Sequence, residues 1–310
     1  MSKVIQEGKV MITTIILGIS GLPVLLIMYF VLKGMGKERN HSLFGITLWQ
    51  DAMKEEGVQE VIRTYKKQLK YWTVFFLVTQ IVMYPIKYIS IVIMLWLIWL
   101  FAMIICMYIP YVKANKKMRL YKAQYQAKNN ETPQNLLAED DENWIWGIFY
   151  YNKNDNRFWV NNKLGTGTTV NMAKPGAVVF NVIVIGLTVV ISIGAVVLCA
   201  LDEFVPIKLE YKNGELNASQ WKQEYQIEEE DISSVTLLET LPSMSRSSGT
   251  SLDNLYKGKW FSRELDRRFK VCLNPEENPF LMIETKDGTW YLLGDESGEQ
   301  TKEIYEKLNK

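Results

Sequence analysis

Residues 71–111 read YWTVFFLVTQIVMYPIKYISIVIMLWLIWLFAMIICMYIPY, and Lys87 is the one charged side chain among these 41. A single α-helix of that length would be about 60 Å long, twice the ~30 Å hydrocarbon core of a bilayer. The run is interrupted at Pro85-Ile86-Lys87-Tyr88. It is therefore expected to cross twice, as helices at about 69–85 and 89–111, folding back at the break. Two other runs, 10–32 and 177–201, are almost free of charge and long enough to cross on their own. Four transmembrane helices are expected. The whole-chain averages (48% hydrophobic, 22% charged, formal charge +1) conceal this segregation. The first run is read as a retained helix rather than a secretory signal. Its apolar stretch is long, and KGMGKERN, without a small-residue cleavage site, follows Leu32.

Orientation follows from Lys and Arg in the connections. Two precede the first helix, eight lie between Lys33 and Lys70, one is Lys87, and ten lie between Lys113 and Lys174. The basic connections are the first and third. Loops 33–68 and 113–176 are thus expected in the cytoplasm, and both termini outside the cytoplasm of a multi-pass cell-membrane protein.

The first loop ends in an amphipathic pattern, with Val58, Val61, Ile62, Tyr65, Leu69 and Trp72 at spacings of three and four among Arg63, Lys66, Lys67 and Lys70. This predicts a helix at the inner surface. It either rests on anionic lipid or, the preferred reading, extends the second membrane helix inward. The third loop begins with a basic helical continuation of the third span, passes a polar linker at NNETPQN and the acidic EDDEN (139–143), and enters an aromatic stretch, 144–176. There WGIFYY and RFWV have strand character and NKNDN between them is rich in turn formers, which predicts a small hairpin-like module packed on the first loop or the membrane. EDDEN reads as a solvated linker. The expected organisation is a membrane region 1–128, the cytoplasmic module 129–176, a fourth span 177–201 and a soluble tail 202–310.

The tail reads as β-rich. Asn213-Gly214 and Asp287-Gly288 are hairpin turns; ISSVTLLETL, LYKGKWFS and RRFKVCL supply further strands; SRSSGTS reads as a polar loop. Ile304, Tyr305 and Leu308 give the final segment one apolar helical stripe. Two orthogonal sheets with a C-terminal helix is the pleckstrin-homology arrangement. The fold class expected is therefore integral membrane α-helical, with four transmembrane helices, plus a β-rich pleckstrin-homology-like tail domain.

LFGITL with VQEVIRTYKKQL resembles the first cytoplasmic loop of the SdpI-type bacterial membrane proteins. GIFYYNKNDNRFWVNNKLGTGTTVNMAKPGA resembles a small domain of unknown function found in related Gram-positive membrane proteins. Gly147, Tyr150 or Tyr151, Asn152, Phe158, Val160, Gly165, Gly167, Thr169 and Asn171 stand at that domain's motif places. The tail is similar to bacterial pleckstrin-homology-like domains. The resemblance implies a non-enzymatic immunity or signal-transduction role, with Gly147, Tyr150, Tyr151, Asn152, Phe158, Trp159, Gly165, Gly167 and Asn171 as module or interaction residues.

Chemistry is sparse. His41 is the lone histidine, so His-based triads and His-rich metal sites are not expected. Gly165-Thr166-Gly167 lacks the rest of a nucleotide fingerprint. Cys106, Cys199 and Cys272 have no metal or disulfide spacing. The expected spans contain no ionisable residue deep inside, which argues against a coupled transporter. Gly18, Gly21, Gly186 and Gly194 are expected to allow close helix packing. Residues 202–310 carry 14 basic and 22 acidic side chains, and the basic cluster within them (Lys257, Lys259, Arg263, Arg267, Arg268) is a candidate anion or lipid patch. The expected partners are the bilayer and a protein or peptide, not nucleic acid, with no cofactor and no metal. The function expected is a non-catalytic membrane sensor, immunity or signalling protein, the alternative being an accessory subunit of an export or envelope complex, with a transporter as the least favoured reading.

Overall fold

The structure, a computed structural model, describes residues 2–39, 41–83, 86, 88–129, 140–163 and 167–309, with side chains from residue 15 onward except 82 and 83. Its residues divide into two compact units. One comprises Thr14–Pro85 with Met94–Ile193; the other comprises Met1–Thr13, Ile86–Ile93 and Gly194–Lys310.

The first unit is built on three long helices. Helix α1 (Ser2–Met35) is followed by a minimal hairpin, β1 (Ser42–Leu43) and β2 (Ile46–Thr47). Its turn residues Phe44 and Gly45 have φ of 51° and 74°, the mirror-image turn geometry that suits a two-residue connection. Helix α2 (Glu56–Thr79) runs on into a 3-10 turn at Gln80–Met83, and α3 (Ile89–Asn129) is one helix of 41 residues. Leu25 and Leu32 of α1, Phe44 and Ile46 of the hairpin, Tyr65 and Leu69 of α2, and Met103, Met107 and Tyr111 of α3 form a common core. Tyr65 adds a polar tie, its hydroxyl donating to the Leu32 carbonyl at 2.5 Å.

The amphipathic stripe of the first loop is therefore used on protein. Val58, Tyr65 and Leu69 are buried, and Val61, Ile62 and Trp72 pack against the same core. The stripe is thus covered by the chain's own residues, as the preferred reading expected, and is not free to lie on lipid. From Tyr71 onward the outer face changes character: Tyr71, Val74, Phe75, Leu77 and Val78 are exposed.

Three helical stretches are long and apolar enough to cross a membrane: Ile15–Met35, Ile89–Lys128, and Pro175–Phe204, the last being helix α4. The further span expected at 69–85 corresponds to the end of α2 and the 3-10 turn. The break expected after it falls largely on residues 84, 85 and 87, outside the described residues. Several polar groups in and beside the apolar stretches find partners nearby, as a lipid environment would require. Gln80 Nε2 donates to the Gly18 carbonyl at 3.1 Å, Trp96 Nε1 to Leu17 at 2.9 Å, and Trp99 Nε1 to Thr79 Oγ1 at 3.1 Å. Gly21 is needed there, because a β-carbon would press on the Gln80 amide and lie 3.3 Å from the Trp99 ring. Gly186 and Gly194 have nothing within 4 Å of such a carbon among the described residues, so the close packing expected of them is not made within the chain.

The aromatic stretch forms two hairpins, not one. Strand β3 (Trp144–Ile145) pairs with β4 (Phe149–Tyr150), and β5 (Trp159–Asn161) with β6 (Thr168–Val170). The expected pairing of WGIFYY with RFWV fails because the chain already reverses inside the first run, where Trp146 and Gly147 both have positive φ. NKNDN is organised by its own side chains: Asn152 Oδ1 accepts from Asn154 N and Asp155 Oδ1 from Arg157 N, each at 2.9 Å. Trp144, Tyr150 and Val160 make a small core.

In the second unit, β7 (Lys208–Lys212), β8 (Glu215–Gln220) and β9 (Gln223–Glu228) form an antiparallel three-stranded sheet. Asn213 and Gly214, both at positive φ, make the expected turn. Strands β10 (Ile232–Leu238), β11 (Met244–Ser251), β12 (Tyr256–Ser262), β13 (Arg267–Leu273), β14 (Phe280–Thr285) and β15 (Trp290–Leu293) form a second sheet in the order β10-β14-β15-β13-β12-β11. Every neighbouring pair is antiparallel except β13 with β15. The stretch SRSSGTS, expected to be a loop, lies in the edge strand β11. Its polar side chains suit an edge that faces water. Helix α5 (Glu299–Leu308) lays Ile304, Tyr305 and Leu308 on the core formed by Leu209, Leu216, Leu281 and Ile283.

Candidate functional site

Within the first unit, the first loop, α3 and the aromatic module meet at one buried carboxylate, Asp141. It is 5% exposed and lies in a 3-10 turn, Asp141–Asn143, that leads into β3. Lys122 Nζ lies 2.8 Å from Asp141 Oδ2, Lys163 Nζ bonds Oδ1, and from the first loop Thr47 donates its backbone N–H at 3.0 Å and its hydroxyl at 3.1 Å. Asp140 completes the group, 2.9 Å from Lys163. Burial works against the Asp141 charge, but the bonds from Lys122, Lys163 and Thr47 outweigh it, so the carboxyl stays below the usual carboxylate value. The segment expected to be a solvated linker thus contributes a buried, multiply bonded carboxylate. The reason is the pair of lysines that the fold brings to it.

Helix α3 contributes Asn115, Arg119 and Lys122, spaced four and three apart and therefore on one face. Asn115 Nδ2 donates to the Phe44 carbonyl at 2.7 Å. Arg119 donates to the carbonyls of Asp141, at 3.0 Å, and of Trp144. Above this face two glycines cross. A β-carbon on Gly45 would lie 2.9 Å from Gly147 Cα, and one on Gly147 would lie 2.7 Å from the Tyr111 hydroxyl. Beside the junction is a cavity of about 490 Å³, bounded by Phe30, Met35 and Arg39 at the end of α1, by Tyr108 of α3, and by Trp144 and Lys163 of the module.

The module residues singled out in the sequence take distinct places. Asn171 is buried and fully bonded: Oδ1 accepts from the N–H groups of Asn152 (3.0 Å) and Ala173 (3.1 Å), and Nδ2 donates to the carbonyls of Asn152 (2.8 Å) and Asp155 (3.0 Å). Tyr150 is buried with its hydroxyl on Asp155 Oδ2 at 3.0 Å, and Asn152 Nδ2 donates to that hydroxyl at 3.2 Å. Gly147 makes the crossing with Gly45, and Gly167 has φ of 105°. Phe158 and Trp159 both set their rings against Phe180 of α4, at centroid distances of 6.5 and 5.8 Å. Tyr151 is exposed, and Gly165 lies outside the described residues. Most of these residues hold the module together; Tyr151 and Trp159 present aromatic surface.

The second unit has a polar junction of its own, at the end of α4. Glu203 caps α3: Oε1 accepts from Ile89 N at 2.7 Å, and Oε2 accepts from Ser90 N at 3.0 Å and from the Ser90 hydroxyl. A carboxylate there meets unpaired N–H groups and the positive end of the helix dipole. The carbonyls at the end of α4 are satisfied by the tail, with Gln220 Nε2 donating to Leu201 (3.2 Å) and Val205 (3.0 Å), and Asn254 Nδ2 to Glu203 (2.8 Å). Lys257 Nζ sits between Asp202 Oδ1 (2.6 Å) and Gln220 Oε1 (2.8 Å).

Lys257 is therefore a buried bridge, separate from the rest of the candidate lipid patch. Lys259, Arg263, Arg267 and Arg268 are exposed, but adjacent residues of a strand point to opposite faces, so Arg267 and Arg268 do not share a surface. Arg267 lies over the Trp290 ring at 4.0 Å, while Arg268 pairs with Phe261 on β12. Sequence reasoning missed Asp141, Glu203 and Gln220. The spacing of Asn115, Arg119 and Lys122 was the available signal for the junction at Asp141. Among the described residues no group of three or more His, Cys, Asp or Glu side chains is placed to hold a metal ion. In comparison with known proteins, the chain matches no family model, no curated protein and no solved structure.

Proposed function

We propose that this chain is a non-catalytic membrane protein of the sensor, immunity or signal-transduction type, kin to the SdpI-type proteins. Its tail 202–310 is a binding domain outside the cytoplasm, and its loops 33–68 and 113–176 face the cytoplasm. The observation that carries the reading is the use made of α3. Its first turn is held by Glu203, next to the tail's own contacts with α4, and its later turns carry Asn115, Arg119 and Lys122 to the inner junction. Residues of α3 thus take part in both polar junctions.

Four spans are favoured over three by the exposed apolar face at the end of α2, which continues from Tyr71 to Ile81 and suits lipid better than water. Four spans also make the charge alternation of the connections self-consistent. The two sheets and final helix of the tail support a pleckstrin-homology-like domain, with the parallel pairing of β13 and β15 as a departure from a simple meander. The exposed polar edge at β11 offers strand addition to a peptide or protein.

The alternative, an accessory subunit of an export or envelope complex, is favoured by α4. None of its most apolar stretch is buried, leaving an entire helix surface to lipid or to another protein's helix. The test is complementation of a strain lacking the protein with a chain ending at residue 201. Loss of the phenotype despite normal membrane insertion supports a sensing tail; full complementation contradicts it.

A further inference from the structure

A groove of about 250 Å³ lies between α2 and α3, lined by Val61, Tyr65, Pro110 and Ala114 below and by Lys113, Lys116 and Lys117 at its rim, with Thr64 and Gln68 alongside. Its described lining contains no acidic residue. Lys116 rests 5.9 Å from the Trp146 ring, while Lys113 and Lys117 are exposed and have no ion-pair partner among the described residues. The Tyr65 hydroxyl is already bound to Leu32, so its ring serves as an apolar wall. The position is informative. The apolar run of α3 ends at Tyr111, two residues before Lys113, and that of α2 begins at Tyr71, three residues after Gln68. On the membrane reading given above, the groove therefore opens at headgroup depth, with cations above an apolar floor.

We propose that this groove holds the headgroup of an anionic phospholipid from the leaflet that faces the loops. The phosphate would sit among Lys113, Lys116 and Lys117, and the glycerol end would run down against Val61 and Pro110. A basic pocket between membrane helices at the cytoplasmic surface is suited to anionic headgroups, and each basic side chain near such a surface contributes about 1 kcal/mol. The inference is independent of the tail and of its ligand.

The test is lipid binding by the full-length chain in detergent, followed by native mass spectrometry with phosphatidylglycerol, phosphatidylcholine of the same acyl chains, and glycerol phosphate. The expected result is preferential retention of phosphatidylglycerol, weakened about fivefold for each lysine removed in Lys113→Gln and Lys117→Gln, the factor equivalent to about 1 kcal/mol. The pair Lys67→Gln with Lys70→Gln removes the same charge from exposed positions outside the groove and is expected to leave retention unchanged. Equal retention of the two lipids, equal loss in both lysine pairs, or displacement by glycerol phosphate at similar concentration would each overturn the proposal. Because the measurement is made in detergent, it is insensitive to orientation, which the labelling experiment below tests separately.

Discussion

Gly45 and Gly147, 102 positions apart in the chain, approach so closely that a β-carbon on Gly45 would lie 2.9 Å from Gly147 Cα. Both have positive φ, 74° and 70°, so each is required twice, for its backbone conformation and for the crossing. Gly147→Ala is expected to lower the stability of the first unit by about 2 kcal/mol, combining the left-handed strain with displacement of Tyr111. Thermal unfolding of the purified variant in detergent measures this. Gly34→Ala, where a β-carbon meets nothing within 4 Å, is the matched control and is expected to be neutral or slightly stabilising.

Asp141 compensates two buried lysines. Asp141→Asn keeps the shape but leaves Lys122 and Lys163 without their shared counter-charge, and is expected to cost about 3 kcal/mol or more. Its carboxyl is lowered in the folded protein, so its contribution is complete above the unfolded carboxylate value of about 3.9 and is lost as pH falls through the lower folded value. Wild type should therefore lose stability on acidification below about pH 4 more steeply than Asp141→Asn. Parallel acid titrations of the two proteins would contradict the assignment.

Much of this was legible in the sequence, and the reasons for success and failure differ by element. The turns at Asn213-Gly214 and Asp287-Gly288, the stripe of α5 and the apolar helices are local patterns, readable because neighbours a few residues apart determine them. Asp141 looked like part of a solvated acidic linker because Thr47, its first-loop partner, is 94 residues away. The parallel pairing of β13 with β15 is likewise a long-range choice, invisible to alternation within either strand. The module was misread as one hairpin because Gly147, recognised as a motif position, was not recognised as a turn.

Glu203 is expected to act as a removable cap. Glu203→Ala leaves the N–H groups of Ile89 and Ser90 without their carboxylate and should cost about 1 kcal/mol. Hydrogen exchange at the first turn of α3 should accelerate about fivefold while exchange in β12 and β13 stays as in wild type. Unchanged exchange at residues 89–92 would show that the cap does not hold the helix.

Cys272 is expected to be inert to thiol reagents in the folded protein. Burial pushes its thiol up to about 12, with nearby Lys257 pulling the other way. Maleimide should label it only after denaturation; rapid labelling of the native protein at pH 7.5 would contradict the packing of β13.

The most direct test of the central claim, an outer tail and inner loops, is the reach of a membrane-impermeant maleimide to a cysteine at Ser248→Cys. Ser248 is exposed on the edge strand β11, and replacing Cys272 with Ser removes the tail's own thiol. Labelling in intact cells, equal to that after lysis, is the predicted result. Labelling only after lysis would place the tail in the cytoplasm and contradict the account.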